Sequence, residues 1–476
     1  MKSYTSLLVL MGLLALVSPL ETGAQSVKNP SEPEAFREVF WGLSIRDAET
    51  GEELAGHNAH TLMTPASTMK LVSTGTALSS LGAAHRIKTQ IFASGEIKGG
   101  TLFGNLYILG DGDFSIGSRY FWDQDPERFF NRVRSDLKNA GITRIQGDIL
   151  SVSGAGDFQA VSPRWTAYDI SNHYAAGCFS LNLFDNAYTV TLSRHGKSLS
   201  VKPEINGLKL KAAYGFSDSR SSDSLYISPF PDADGAYLIT GVYPTKAATR
   251  TLRGAIPDPP AYFAQHLLEC LTSGGIEVTG SSGKATGLPE GIPMALVTYE
   301  SPTLFDLAKI TNTYSHNLFA EGFLKLLGRG RMSLPGHNLT QTSLMALYDF
   351  WTQRGLDTRE LEMLDGSGLS PENRVTPAFL TAMLGKIYRE DPSHTFMQVL
   401  PRAGKDGTLT IFLKNTPLEG KARLKSGTIR NVVTYAGYVT LGSKTYTVAL
   451  FVNNYYGTAS SIRKGMERIL LEAFSL

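Results

Sequence analysis

Thr64-Pro65-Ala66-Ser67-Thr68-Met69-Lys70-Leu71-Val72-Ser73-Thr74-Gly75-Thr76-Ala77-Leu78 reads as a helix with a reactive start. Pro65 suits the first turn, where its missing N–H is not needed, and Thr64 suits the N-cap. On such a helix Ser67 and Lys70 share one face. A Ser hydroxyl is a weak nucleophile until a base takes its proton. A Lys can be that base only if burial or nearby positive charge lowers its pKa to roughly 7–8. The spacing therefore predicts a second cation, and the helix N-terminus would favour an oxyanion beside Ser67. S-x-x-K alone also fits an ordinary helix start, so the rest of the chain has to decide.

Two further motifs follow. Ser315-His316-Asn317 is an S-x-N, and Lys425-Ser426-Gly427-Thr428 is a K-[ST]-G on an apparent strand. Lys425 would supply the second cation, keeping Lys70 neutral and attracting a substrate carboxylate. Ser426 and Thr428 could donate hydrogen bonds to that carboxylate. Gly427 would let substrate backbone approach the strand. Ser315 could relay a proton to a leaving amine, and Asn317 could hold a substrate amide. Three weak motifs in this order make a strong joint signal.

The chain has 476 residues, 42% of them hydrophobic and 18% charged, enough for two or three domains with a sizeable core. A net charge of +2 gives no case for nucleic acid. Lys2, an apolar run over 7–20 and Thr22-Gly23-Ala24 read as an export signal over 1–24. That run is short and broken by Ser18-Pro19, which disfavours a permanent membrane helix and leaves room for peripheral membrane association. Cys178 and Cys270 make no disulfide framework, and two buried free thiols are favoured over a bridge. Scattered His residues offer no zinc spacing, so neither metal nor cofactor is expected.

Residues 39–45 and 52–57 read as strands, and the Ser67 helix ends near Gly82. Residues 87–109 and 180–245 read as short strands, with a turn at Gly110-Asp111-Gly112-Asp113. Helices are expected over 126–140, 260–275, 301–327, 340–355 and 460–474, and a hairpin over 432–452. The expectation is an α/β (α+β) multidomain chain: one catalytic unit from 25–90 and 290–476, split by a β-rich insertion at 91–289. The insertion divides into about 91–172 with 245–289, and 173–244.

These motifs resemble penicillin-binding proteins and serine β-lactamases. The closer likeness is to the class C, low-molecular-mass D-alanyl-D-alanine carboxypeptidase/endopeptidase family. Asp365-Gly366-Ser367-Gly368-Leu369-Ser370 with Asn373-Arg374-Val375-Thr376-Pro377 is similar to its signature. So are Leu400-Pro401-Arg402-Ala403-Gly404-Lys405-Asp406-Gly407-Thr408-Leu409 and Ser315-His316-Asn317-Leu318-Phe319-Ala320-Glu321. The resemblance implies a transpeptidase-like domain, an antiparallel sheet flanked by helices. It implies Ser67 as acylated nucleophile, Lys70 as base, and an oxyanion hole from the Ser67 and Thr428 backbone N–H groups. It also implies peptidoglycan stem peptides as substrates, β-lactams as covalent inhibitors and a periplasmic or extracellular, cell-wall location.

Three departures stand out. His316 replaces a common Asp and is expected to point away from substrate with little effect. Ser426 replaces the usual Thr. The stretch where some members carry an acid for a diaminopimelate amine, 149–154, has none. Asp365 to Gly368 reads as a tight loop, and Arg374 as a surface pair. The rival readings are a β-lactamase or esterase on the same fold, or a non-catalytic penicillin-binding scaffold. Oligomeric state, the deacylating base and the balance of carboxypeptidase to endopeptidase action stay open.

Overall fold

The computed structural model describes residues 26–122, 125–154, 157–193, 199–219, 224–246, 248–291, 295–331 and 337–476, so the expected export signal lies outside the described residues. The central element is an antiparallel sheet made from both ends of the chain. Its strands are β1 (Phe40–Asp47), β2 (Glu53–His57), β3 (Ala422–Ile429), β4 (Val432–Leu441) and β5 (Lys444–Asn453), in the order β2-β1-β5-β4-β3. β4 and β5 are buried along nearly their whole length because helices cover both faces. On one face lie α1 (Lys70–Leu81) and, from the C-terminal part of the chain, α5 (Pro377–Glu390), with Leu71, Val72, Leu380 and Met383 packed near Ala436 and Phe451. On the other, α6 (Ala459–Ala473) sets Met466, Ile469 and Leu470 in a core with Leu43, Val433 and Leu450. Each such side chain contributes on the order of 1.5–3 kcal/mol when fully buried.

The expected helix over 301–327 is two helices, α2 (Leu304–Tyr314) and α3 (Asn317–Leu326). Ser315 breaks them in the left-handed region at φ 59°. α4 (Leu339–Gln353) follows, opened by an Asn338–Gln341 capping box.

The insertion leaves between α1 and α2 through Lys88–Ala93 and returns through Val297–Glu300; these strands pair antiparallel, Ile91 opposite Val297, which brings its two ends together. Its main sheet runs Ser282–Ala285, Ile149–Val152, Leu106–Gly110, Lys88–Ala93, Val297–Glu300. A second sheet joins Leu199–Lys202, Ala187–Ser193 and Thr249–Ala255. Thr249–Ala255 thus pairs with the 173–244 part rather than with the outer segment to which the sequence reading assigned it. A shared core including Ile108, Phe129, Val190, Ile239 and Phe263 runs through both parts. At the Gly110 turn, Asp113 accepts hydrogen bonds from the Ser115 N–H and hydroxyl, and burial pushes its carboxyl up to about 6. Cys178 and Cys270 are unbonded; Cys178 is buried and Cys270 half-buried.

Candidate active site

Ser67 sits on a 3-10 turn, Ala66–Met69, that runs into α1. Thr64 is not its cap. Asn453 grips the Thr64 backbone instead, accepting its N–H at 2.8 Å and donating to its carbonyl at 3.1 Å. Ala66 holds φ 47°, a left-handed conformation that L residues rarely adopt. Two glycines explain how the turn is held. A Cβ on Gly368 would run into the Ala66 carbonyl, and one on Gly427 would lie 2.7 Å from the Pro65 carbonyl and 2.9 Å from the Ser67 nitrogen. Gly427 therefore admits the protein's own Ser67 turn, where the sequence reading reserved that space for substrate backbone.

Lys70 is fully buried. Its Nζ donates to Ser67 Oγ (2.9 Å), Asn317 Oδ1 (2.7 Å) and the Ser367 carbonyl (2.6 Å). Burial lowers its pKa to about 7, against the opposing pull of Asp365 and Glu321. An ammonium with three acceptors has no lone pair to offer; a neutral amine in the same place does.

The Ser367 carbonyl is set by carboxylates behind it. Glu321, on α3, accepts the N–H groups of Ser367 (2.8 Å) and Gly366 (3.1 Å). Asp365 accepts from the N–H groups of Gly368 and Ser370, both at 2.7 Å, from Asn373 Nδ2 (3.0 Å) and from Trp165 Nε1 (2.8 Å). The tight loop is thus a device that presents one carbonyl to Lys70. Arg374 donates to the Pro371 and Asn373 carbonyls at 2.6 and 2.8 Å, bracing the same loop rather than forming a surface ion pair.

Lys425, also fully buried, donates to Ser315 Oγ at 3.0 Å. Burial and the charge of Lys70 push its pKa well below the ordinary lysine value. Asp365 and Glu321 oppose the burial of Lys70, whereas no carboxylate opposes the burial of Lys425. Ser426 Oγ shares a 2.7 Å hydrogen bond with Thr408 Oγ1, which gives the 400–409 motif a task. Ile429 and Val432 flank a two-residue hairpin, so by alternation the Thr428 N–H points to the open sheet edge.

The insertion reaches the site as well. Asn317 Nδ2 donates to the Tyr174 carbonyl at 2.7 Å. His316 does point away from the cleft, but it is engaged: its Nε2 lies 3.5 Å from Asp185 Oδ1, and its ring meets those of Tyr120 and Phe319. A cleft of about 820 Å³ is lined by Ser67, Ser315, Asn317 and Thr428 together with Thr166, Asp169 and Tyr174 of the insertion. Asp169 accepts from Thr166 Oγ1 (2.7 Å) and the Tyr174 hydroxyl (3.0 Å). Asp169 thus brings a carboxylate to the cleft from a loop without hydrophobic periodicity, which is why pattern reading passed over it.

Residues 24–472 match the sequence profile of the D-Ala-D-Ala carboxypeptidase 3 (S13) family. A D-alanyl-D-alanine carboxypeptidase of Actinomadura sp. is 28% identical over 440 residues, covering 86% of this chain and 76% of its own. DacB, a D-alanyl-D-alanine carboxypeptidase of Haemophilus influenzae, is 23% identical over 424 residues, 87% of this chain and 85% of its own. The crystal structure of penicillin binding protein 4 (dacB) from that organism superposes with a TM-score of 0.78 at 22% identity, covering 92% of this chain and 95% of that one. The same protein complexed with a β-lactam gives a TM-score of 0.75 at 22% identity, covering 91% and 95%. The chain belongs to the D-Ala-D-Ala carboxypeptidase 3 (S13) family and is a serine peptidase of that class.

Proposed function

We propose that the cleft hydrolyses a D-Ala-terminated peptide bond in peptidoglycan stem peptides through an acyl-Ser67 intermediate. The observation that carries the reading is the fully buried Lys70 amine, 2.9 Å from Ser67 Oγ, with a pKa near 7. Neutral Lys70 takes the Ser67 proton as Oγ bonds to the penultimate carbonyl carbon. The Ser67 and Thr428 N–H groups receive the oxyanion, a contribution of typically ~3–4 kcal/mol per donor. The C–N bond breaks, the leaving amine takes a proton through Ser315 from the lysine pair, and water then cleaves the ester. A substrate carboxylate at the Ser426 and Thr428 hydroxyls would favour the charged form of Lys425, the second cation of the site. Asn317 holds the substrate amide, and Asp169 faces a cationic side chain at the third stem residue. β-Lactams enter the same path and stop at the ester. The leader-like sequence start and the substrate class support an exported enzyme at the cell wall.

Mass spectrometry after incubation with benzylpenicillin tests this. The expected result is one long-lived adduct on Ser67, absent from Ser67→Ala. Rapid turnover with no adduct would favour a β-lactamase, and no reaction at all would overturn the reading.

A further inference from the structure

Ser67 lies between two clefts. The second, about 540 Å³, shares Ser67, Ser315 and Thr428 with the first but opens over Ser426 toward residues 408–414 and the start of α6. Its lining is basic. Lys414 and Lys464 are exposed and Arg463 half-buried, and they face this space with one carboxylate, Glu467. Glu467 already accepts the Leu413 N–H at 2.6 Å. Nearby Glu419 pairs with Lys405 and accepts the Asn415 N–H, and it also feels the charge of Lys414. Among the described residues no carboxylate lies within ion-pair distance of Lys414 or Lys464. The N-terminal end of the 15-residue α6 adds its positive field. Phe412 stacked on Tyr435 at 3.7 Å and Ile411, 82% exposed, give the cleft apolar surface as well.

This arrangement exceeds what one leaving residue needs. In the proposed reaction a terminal D-Ala ends at Ser426 and Thr428, and nothing of it extends further. A cleft of this size is in the range that holds a peptide-sized ligand, and its charge selects an acidic one. We propose that the second cleft is a subsite for the leaving half of a cross-linked stem peptide, bound as an acidic peptide by Lys414, Arg463 and Lys464. The inference deepens the reading above and rests on it. Ser67 Oγ bonds to the D-Ala carbonyl carbon, the cross-link C–N bond breaks, and the second stem departs as a free amine carrying the relayed proton. Water returns the first stem as its carboxylate.

The test compares two substrates with the whole protein: a stem pentapeptide ending in D-Ala-D-Ala, and a cross-linked dimer of stems. In Lys414→Ser/Lys464→Ser, the ratio of kcat/KM for dimer to that for pentapeptide is expected to fall about tenfold, mainly through KM. The charge-reversed Lys414→Glu/Lys464→Glu should lower it further, and added salt should reproduce part of the loss in the native protein. If the native protein cleaves both substrates and neither variant changes the ratio, the subsite is wrong and the acyl-Ser67 reading stands. If the native protein cleaves neither, both fall.

Discussion

In the proposed reaction the chemistry turns on one proton at Lys70. Burial brings its pKa down to about 7, so the neutral base appears as pH rises through that value. The rate of acylation by benzylpenicillin, followed by stopped flow, should therefore rise with pH through about 7; a rate flat from pH 5 to 9 would argue against Lys70 as base. Lys70→Arg should be nearly inactive at neutral pH, because a guanidinium keeps its proton. Glu321 has its own carboxyl raised to about 7 by burial and by Asp365, and its charge pulls the Lys70 pKa up. Asp365, Lys325 and Lys70 are the other charged groups acting there. Glu321→Gln removes that pull, so the acid limb should move to lower pH; an unchanged or raised midpoint would contradict the argument. The motif side chains were legible in the sequence because the proposed chemistry is carried by the side chains themselves. Glu321 and Asp365 were not assigned roles because they act through the carbonyl of Ser367, and a backbone carbonyl has no letter.

The Ser67 turn is an element held from outside. A free turn with Ala66 at φ 47° would relax, so Gly368 and Gly427 have to close on it from two directions. Gly427→Ala should push the turn away from β3 and separate the Ser67 and Thr428 N–H groups. Acylation should slow by on the order of 10²-fold or more, the scale of losing one oxyanion donor. Normal acylation by Gly427→Ala would show that the contact is slack. The sheet strands and most helices follow from periodicity, but α5 went unread although its signals are plain. Thr376 caps it, accepting the Phe379 N–H at 2.9 Å, and Pro377 opens it. Those residues also belong to the family-like motif over 365–377. The opposite error joined α2 to α3: apolar spacing continues across Ser315, and only its left-handed φ shows the break.

Across the whole molecule the insertion is docked at the back of the site by polar contacts that each end one step from catalysis. Trp165 holds Asp365, the Tyr174 carbonyl holds Asn317, the Cys178 carbonyl accepts Lys325 Nζ at 2.6 Å, and Asp185 meets His316. Sequence texture marked the insertion as a separate unit but could not show this, since the partners lie 131 to 200 residues apart. The geometry predicts that loosening the dock changes chemistry as well as stability. Trp165→Phe keeps an aromatic ring but removes the N–H to Asp365 along with part of the indole, a loss of about 1.5–3 kcal/mol in a thermal melt for the hydrogen bond alone. Asp365 would then exert more of its charge on Lys70, so the pH midpoint of acylation should move up and the rate at pH 7 should fall. A lower melting temperature with an unmoved midpoint would make Trp165 a packing residue only, and the insertion a passenger rather than part of the active site.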